Sequence, residues 1–142
     1  MQQALCLAQE ACASGEVPVG AIIVNAAGEI IGRGRNRREE TGLATKHAEI
    51  EAIEQACKAV GDWRLDGCSL YVTLEPCPMC TGAIINSRVS ELVYGAKDAE
   101  TGCCGSVINL FEEKLGHHPA VFSGVLGEEC ERIMRDFFHS VR

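Results

Sequence analysis

Two short segments hold residues whose types and spacing suit metal chemistry: His47-Ala48-Glu49, and Pro76-Cys77-Pro78-Met79-Cys80. Cysteines three apart in the first turn of a helix share a face, so both sulfurs can reach one ion. A helix N-terminus carries partial positive charge, which lowers a thiol pKa and favours the thiolate that a metal requires. Cys77, Cys80 and a neutral His47 imidazole make three ligands. Structural zinc sites ordinarily have four protein ligands, whereas three leave a position for water. Two thiolates cancel the charge of Zn²⁺ and weaken it as a Lewis acid, so the helix N-termini and a nearby carboxylate must help to stabilise the activated water. Glu49 lies two residues from His47 and does not share its helix face. That places it beside the open position, as a proton carrier rather than a fourth ligand. Each piece alone has an ordinary reading. A lone Cys-x-x-Cys is as often a redox pair or half of a structural zinc site. A lone histidine is usually core or surface, and a lone glutamate is usually solvated.

The elements that must position these residues follow from periodicity. Ala4, Leu7, Ala8 and Ala11 recur at helical spacing, giving a first helix that ends near Ser14-Gly15. Gly20-Ala21-Ile22-Ile23-Val24 is a short apolar run rich in β-branched residues, as expected of an interior strand. Asn25-Ala26-Ala27-Gly28 supplies turn chemistry, and Ile30-Ile31 opens a second strand, which predicts a hairpin. After His47, the residues Ala52, Ile53, Ala56, Cys57 and Val60 form an apolar helical stripe, with Gly61 as its stop. A strand follows from Ser69 to Leu74, then a helix from Met79 to Ser87 with proline in its first turn. Leu92-Val93-Tyr94 reads as a strand ended by Gly95. A short helix falls near Val107–Leu110, a last strand at Ala120-Val121-Phe122, and an amphipathic helix runs through Leu126, Cys130, Ile133, Met134, Phe137 and Val141. Strand-helix-strand alternation implies parallel pairing in the middle, beside an antiparallel hairpin. The expectation is an α/β fold, a mixed five-stranded sheet with helices on both faces.

The chain has 142 residues, 46% of them apolar and 23% charged, which suits one globular domain over residues 1–142. No apolar stretch approaches the ~20 residues that cross a bilayer. Met1-Gln2-Gln3-Ala4 lacks the basic start and apolar run of a secretory signal, so the expected location is cytoplasmic. The nine cysteines are irregularly spaced, and most read as buried free thiols. Net charge is −7, which argues against broad attraction to nucleic acid. Gly32-Arg33-Gly34-Arg35-Asn36-Arg37-Arg38 nevertheless concentrates four arginines. By itself such a run is a solvated loop; just ahead of His47 it also reads as a phosphate-facing rim.

Taken together, His-x-Glu … Pro-Cys-x-x-Cys is the signature of zinc deaminases that act on nucleobases. The sequence resembles the bacterial tRNA-specific adenosine deaminases (the TadA family) from Ala4 to its end. The most specific stretches are Glu16-Val17-Pro18-Val19-Gly20-Ala21, His47-Ala48-Glu49-Ile50, Leu70 to Ile84, Tyr94 to Gly102, and Asp136-Phe137-Phe138. The resemblance implies a three-layer α/β/α cytidine deaminase-like fold. It also implies hydrolytic deamination of adenosine to inosine at the wobble position of an arginine tRNA by a zinc-activated water, in a homodimer. It assigns one Zn²⁺ to His47, Cys77 and Cys80 and proton transfer to Glu49. Substrate contact falls to Asn36, Asp98 and Phe138, with the tRNA anticodon stem-loop as partner. Two departures stand out. The chain begins very close to the first helix, where an N-terminal extension is common in the family. Cys103-Cys104 also stand where small residues are usual. A free-base or nucleotide deaminase of the guanine or cytosine class is the alternative enzyme, and a noncatalytic RNA-binding partner subunit is a third reading.

Overall fold

The computed structural model describes residues 1–141; residue 142, the last of the expected domain, lies outside the described residues. The elements run α1 (Gln2–Ala13), β1 (Gly20–Val24), β2 (Ile30–Arg35), α2 (Arg38–Thr41), α3 (Ala48–Val60), β3 (Ser69–Leu74), α4 (Pro78–Ser87), β4 (Glu91–Ala96), a 3₁₀ turn (Leu110–Glu112), β5 (Ala120–Ser123) and α5 (Gly127–Ser140). The sheet order is β2-β1-β3-β4-β5. β1 is antiparallel to both β2 and β3, while β3–β4 and β4–β5 are parallel. This is the expected mixed five-stranded sheet.

The hairpin turn works through Asn25, whose Oδ1 accepts from the Ala27 and Glu29 amides at 3.0 and 2.9 Å. β1, between two neighbours, is buried from Gly20 through Ile23. The core gathers Ile23, Leu70, Val72, Ile84, Val89 and Leu92 around it.

α3 lies unusually close to β2. A Cβ on Gly32 would stand 2.2 Å from the Ala52 carbonyl oxygen, and one on Gly34 2.1 Å from that of Ala48. The helix face against these glycines is alanine: Ala48, Ala52 and Ala56 are all fully buried. Small residues on both sides let two backbones touch, and that contact sets where α3 begins. α3 and α4 both start at the end of the sheet where β3 and β4 finish, the usual place for a site in sheets of this kind.

Several local expectations shift. Gly95 lies inside β4 rather than ending it, pressed against Cys130 of α5, whose Sγ would be 2.3 Å from a Cβ there. The short helix near Val107–Leu110 appears instead as the 3₁₀ turn at Leu110–Glu112. Arg33 and Arg35 belong to strand β2, not to a loop, and the unanticipated α2 follows them. Val60 and Val141 are 47% and 61% exposed, so both stripes end one turn earlier than periodicity suggests. All four residues of β5 are exposed.

Candidate active site

His47 and Cys77 are the N-cap residues of α3 and α4, both in extended backbone. Pro78 occupies the first turn of α4, where its missing N–H has no partner to lose. Cys80 comes one turn on and is fully buried. The caps converge: His47 Nδ1 lies 3.5 Å from Cys77 Sγ and 3.5 Å from Cys80 Sγ. All three donor atoms fall within 4.8 Å of one another, and among the described residues no other cluster of His, Cys, Asp and Glu does so.

The trio fits zinc. With Zn–S of about 2.3 Å and Zn–N of about 2.05 Å, a tetrahedral centre puts N and S about 3.6 Å apart. Protonation points the same way. Hydrogen bonding from Cys80 holds the Cys77 thiol down at about 4, the more so with His47 beside it. Cys80 is pushed up by its bond to Cys77 and by burial. His47 is raised through its hydrogen bond to Cys77. Two sulfurs and an imidazole nitrogen thus share protons at one point, where a divalent cation would replace them.

Glu49, in the first turn of α3, is 4% exposed. Its Oε1 is buried without a hydrogen-bond partner. Burial raises its pKa from the ordinary carboxylate value to about 7, with the negative Cys77 adding to the rise. An unsatisfied buried oxygen costs roughly 1–3 kcal/mol, and a perturbed carboxyl in a cleft is the mark of an acid–base group.

The cleft beside these groups measures about 120 Å³ and is lined by His47, Glu49, Cys77, Asn36, Asp98 and Thr101, among others. At ~10–15 Å³ per water-sized position it holds roughly ten, the scale of one nucleobase ring system. Asn36 is 7% exposed; its Nδ2 donates to the Val17 carbonyl at 3.4 Å and its Oδ1 has no partner. A larger groove of about 690 Å³ runs between α1 and α5, lined by neither the trio nor Glu49.

The chain matches the MafB19-like deaminase family over residues 1–142. It is 50% identical to the tRNA-specific adenosine deaminase of Bacillus subtilis (strain 168), covering all of this chain and 88% of that protein. The chain belongs to the tRNA-specific adenosine deaminase family. A solved structure from work on A-to-I editing by tRNA:A34 deaminases superposes with a TM-score of 0.90 at 43% identity, covering 94% of this chain and 96% of that one. Guanine deaminase from Nitrosomonas europaea shares the fold at TM-score 0.83 and 26% identity, covering 96% and 81%.

In this deaminase, His47, Cys77 and Cys80 meet as their spacing suggests, and Glu49, Asn36 and Asp98 line the same cleft. Phe138 is not in that lining. It sits on α5, 41% exposed, edge-on to Phe137 at 5.3 Å. The arginine run divides. Buried Arg35 pairs with Glu40 at 3.3 Å, and Arg37 pairs with Glu40 and Glu51 at 3.0 and 2.8 Å. Arg33 and Arg38 make no ion pair among the described residues, and Arg38 lines the cleft. Periodicity missed the buried Glu16 and Glu75. Their signal was a lone acid beside an apolar run, before it in Glu16-Val17-Pro18-Val19 and after it in Val72-Thr73-Leu74-Glu75.

Proposed function

We propose that this chain hydrolyses adenosine to inosine at the wobble position of a transfer RNA, an arginine tRNA, as a single domain that works as a homodimer in the cytoplasm. His47, Cys77 and Cys80 hold one zinc ion. Bound zinc supplies Lewis acidity that brings a water's pKa close to neutrality.

The remaining chemistry falls to side chains. Glu49, with a pKa of about 7, exchanges protons readily at neutral pH. Its carboxylate takes one proton from the attacking water and delivers it to the ring nitrogen next to C6, then takes the second from the new C6 hydroxyl and passes it to the departing amine. Water adds at C6, the C6–N bond breaks, ammonia leaves, and the ring becomes hypoxanthine. Asn36 offers an unused acceptor, Oδ1, at the cleft wall. Asp98 and Phe138 meet the nucleotides beside the target. Arg33 and Arg38 supply the charge for phosphates.

The observation that carries the chemistry is Glu49: a buried carboxyl with a partnerless oxygen, in a cleft shared with His47 and Cys77. The test is Glu49→Gln assayed on an anticodon hairpin. We expect one zinc per chain to be retained and inosine formation to fall by about 10²–10⁴-fold, the usual worth of general acid–base catalysis. Undiminished turnover removes the proton-carrying role. The likeness to guanine deaminase keeps one other substrate class in view. Ammonia released from free guanine, with none from the hairpin, replaces the tRNA reading with that one.

Among the described residues no helix is long and apolar enough to cross a membrane.

A further inference from the structure

Glu75 is 2% exposed and stands between the end of β3 and the ligand Cys77. Its Oε1 accepts from the Asp98 amide at 3.1 Å and from the Ser106 hydroxyl. Its Oε2 accepts from the amides of Cys104 and Ser106 at 3.0 and 3.1 Å. Those four donors leave neither carboxyl oxygen without a partner. The backbone adds two ties: the Glu75 amide donates to the Ala96 carbonyl at 2.8 Å, and Cys103 to that of Pro76 at 2.9 Å. The segment from Asp98 to Ser106 is therefore wrapped around one side chain, two residues from a metal ligand. Only glycine fits where it closes. A Cβ on Gly102 would lie 2.5 Å from Cδ and Oε2 of Glu75.

The same segment presents Asp98 and Thr101 to the cleft. Their side chains are joined at 2.8 Å, and Asp98 Oδ1 accepts from the Glu100 and Thr101 amides. This wall is hydrogen-bonded within itself, and the side chain that ties it beside Cys77 is that of Glu75. With both oxygens engaged by this segment, Glu75 has none left to offer the cleft.

We infer that Glu75 is a positioning residue. It sets the distance from Cys77 to the wall of Asp98 and Thr101, and so governs how the nucleotides flanking the target fit. This deepens the polynucleotide reading above and rests on it.

Glu75→Gln puts an amide NH₂ against backbone N–H donors, so some lose their acceptor. Gly102→Ala keeps the Glu75 side chain but sets a Cβ 2.4 Å from the Asp98 carbonyl oxygen and 2.5 Å from the Glu75 carboxyl, so the wall must shift. Both variants are assayed for kcat and KM on an anticodon hairpin, for the absorption spectrum after cobalt(II) substitution, and for amide hydrogen exchange. We expect both to raise KM about tenfold, the worth of one lost buried hydrogen bond, with a smaller fall in kcat. The cobalt spectrum stays as in the parent because the ligands are untouched, while the amides of Asp98, Cys104 and Ser106 exchange faster. An unchanged KM, or a cobalt spectrum altered alongside the loss, overturns the assignment. Should the parent protein leave the hairpin unmodified, the substrate reading falls and exchange decides Glu75 by itself. Faster exchange at those three amides with an unaltered spectrum upholds the role, and unchanged exchange refutes it.

Discussion

Replacing Gly34 with alanine sets a Cβ 2.1 Å from the Ala48 carbonyl oxygen and 2.8 Å from the Ala52 nitrogen. Both atoms belong to the backbone of α3, so no side chain can rotate out of the way. Ordinary contact begins at 3.4 Å, a shortfall of 3.4 − 2.1 = 1.3 Å, so α3 must lift off β2 by about an ångström. His47 caps that helix and moves with it. Metal donors tolerate only about 0.2 Å of misplacement, and misoriented ligands typically cost 10–100-fold in affinity. We therefore expect Gly34→Ala to weaken zinc binding by about that factor, although residue 34 touches no ligand. Overpacking of this kind destabilises by roughly 1–3 kcal/mol. For a chain of this length that lowers Tm by roughly 3–10 °C. Zinc affinity is read by competition with a chromophoric chelator, stability by calorimetry of the metal-depleted protein, and activity by inosine formation. Gly82→Ala is the control. Its Cβ would meet nothing within 4 Å on α4, so it should be neutral or stabilising by roughly 0.5–1 kcal/mol. A Gly34→Ala protein with the parent's Tm and zinc affinity would refute the claim that backbone contact between β2 and α3 sets the metal site.

Four further outcomes follow. Glu16 is buried and accepts from the Glu39 and Glu40 amides at 3.1 and 2.7 Å. Glu16→Ala should therefore unwind α2 and cost roughly 2–4 kcal/mol from orphaned donors, visible as a lower denaturant midpoint. With Arg35 and Arg37 held by glutamates, Arg33 and Arg38 are the two arginines of the basic run that make no ion pair among the described residues and can neutralise phosphates. Each of Arg33→Ala and Arg38→Ala should then flatten the salt dependence of hairpin binding by about 0.7 in log–log slope, whereas Arg35→Ala should mainly lower stability. Cys6 is exposed, while burial pushes the Cys104 thiol up to about 12. At pH 8, iodoacetamide should label Cys6 in the native protein and leave Cys104 unlabelled until unfolding, as peptide mass mapping would show. Burial likewise raises Cys130 from 9.0 to about 11. A raised folded pKa means that this group's stabilisation is complete below pH 9 and is lost as pH rises through 11. Alkaline melting curves should show that loss in the parent and a shallower one in Cys130→Ala.

The geometry of the candidate site was legible in the sequence because it depends on short-range spacing. Cys77 and Cys80 share a helix face whatever surrounds them, and a two-residue spacing sets the proposed ligand His47 and the proposed proton carrier Glu49 on different faces. β1 was legible too, since burial on both faces leaves an apolar run that loops do not tolerate, and β3 because Leu70, Val72 and Leu74 alternate onto one face. What the sequence left open was decided by contacts between distant segments. Arg35 and Arg37 lie in a basic run, yet Glu40 and Glu51 neutralise them, and only the packing of α3 on β2 brings Glu51 within reach. Gly95 reads as a strand end by local propensity, but Cys130 needs its empty side, so β4 continues through it. Glu75 looks like one more acid in a loop until the segment from Asp98 to Ser106 folds round it. Periodicity reports one element's own preference for burial. Which carboxylate meets which donor, and how far a metal ligand stands from the opposite wall, are properties of pairs that only the folded chain brings together.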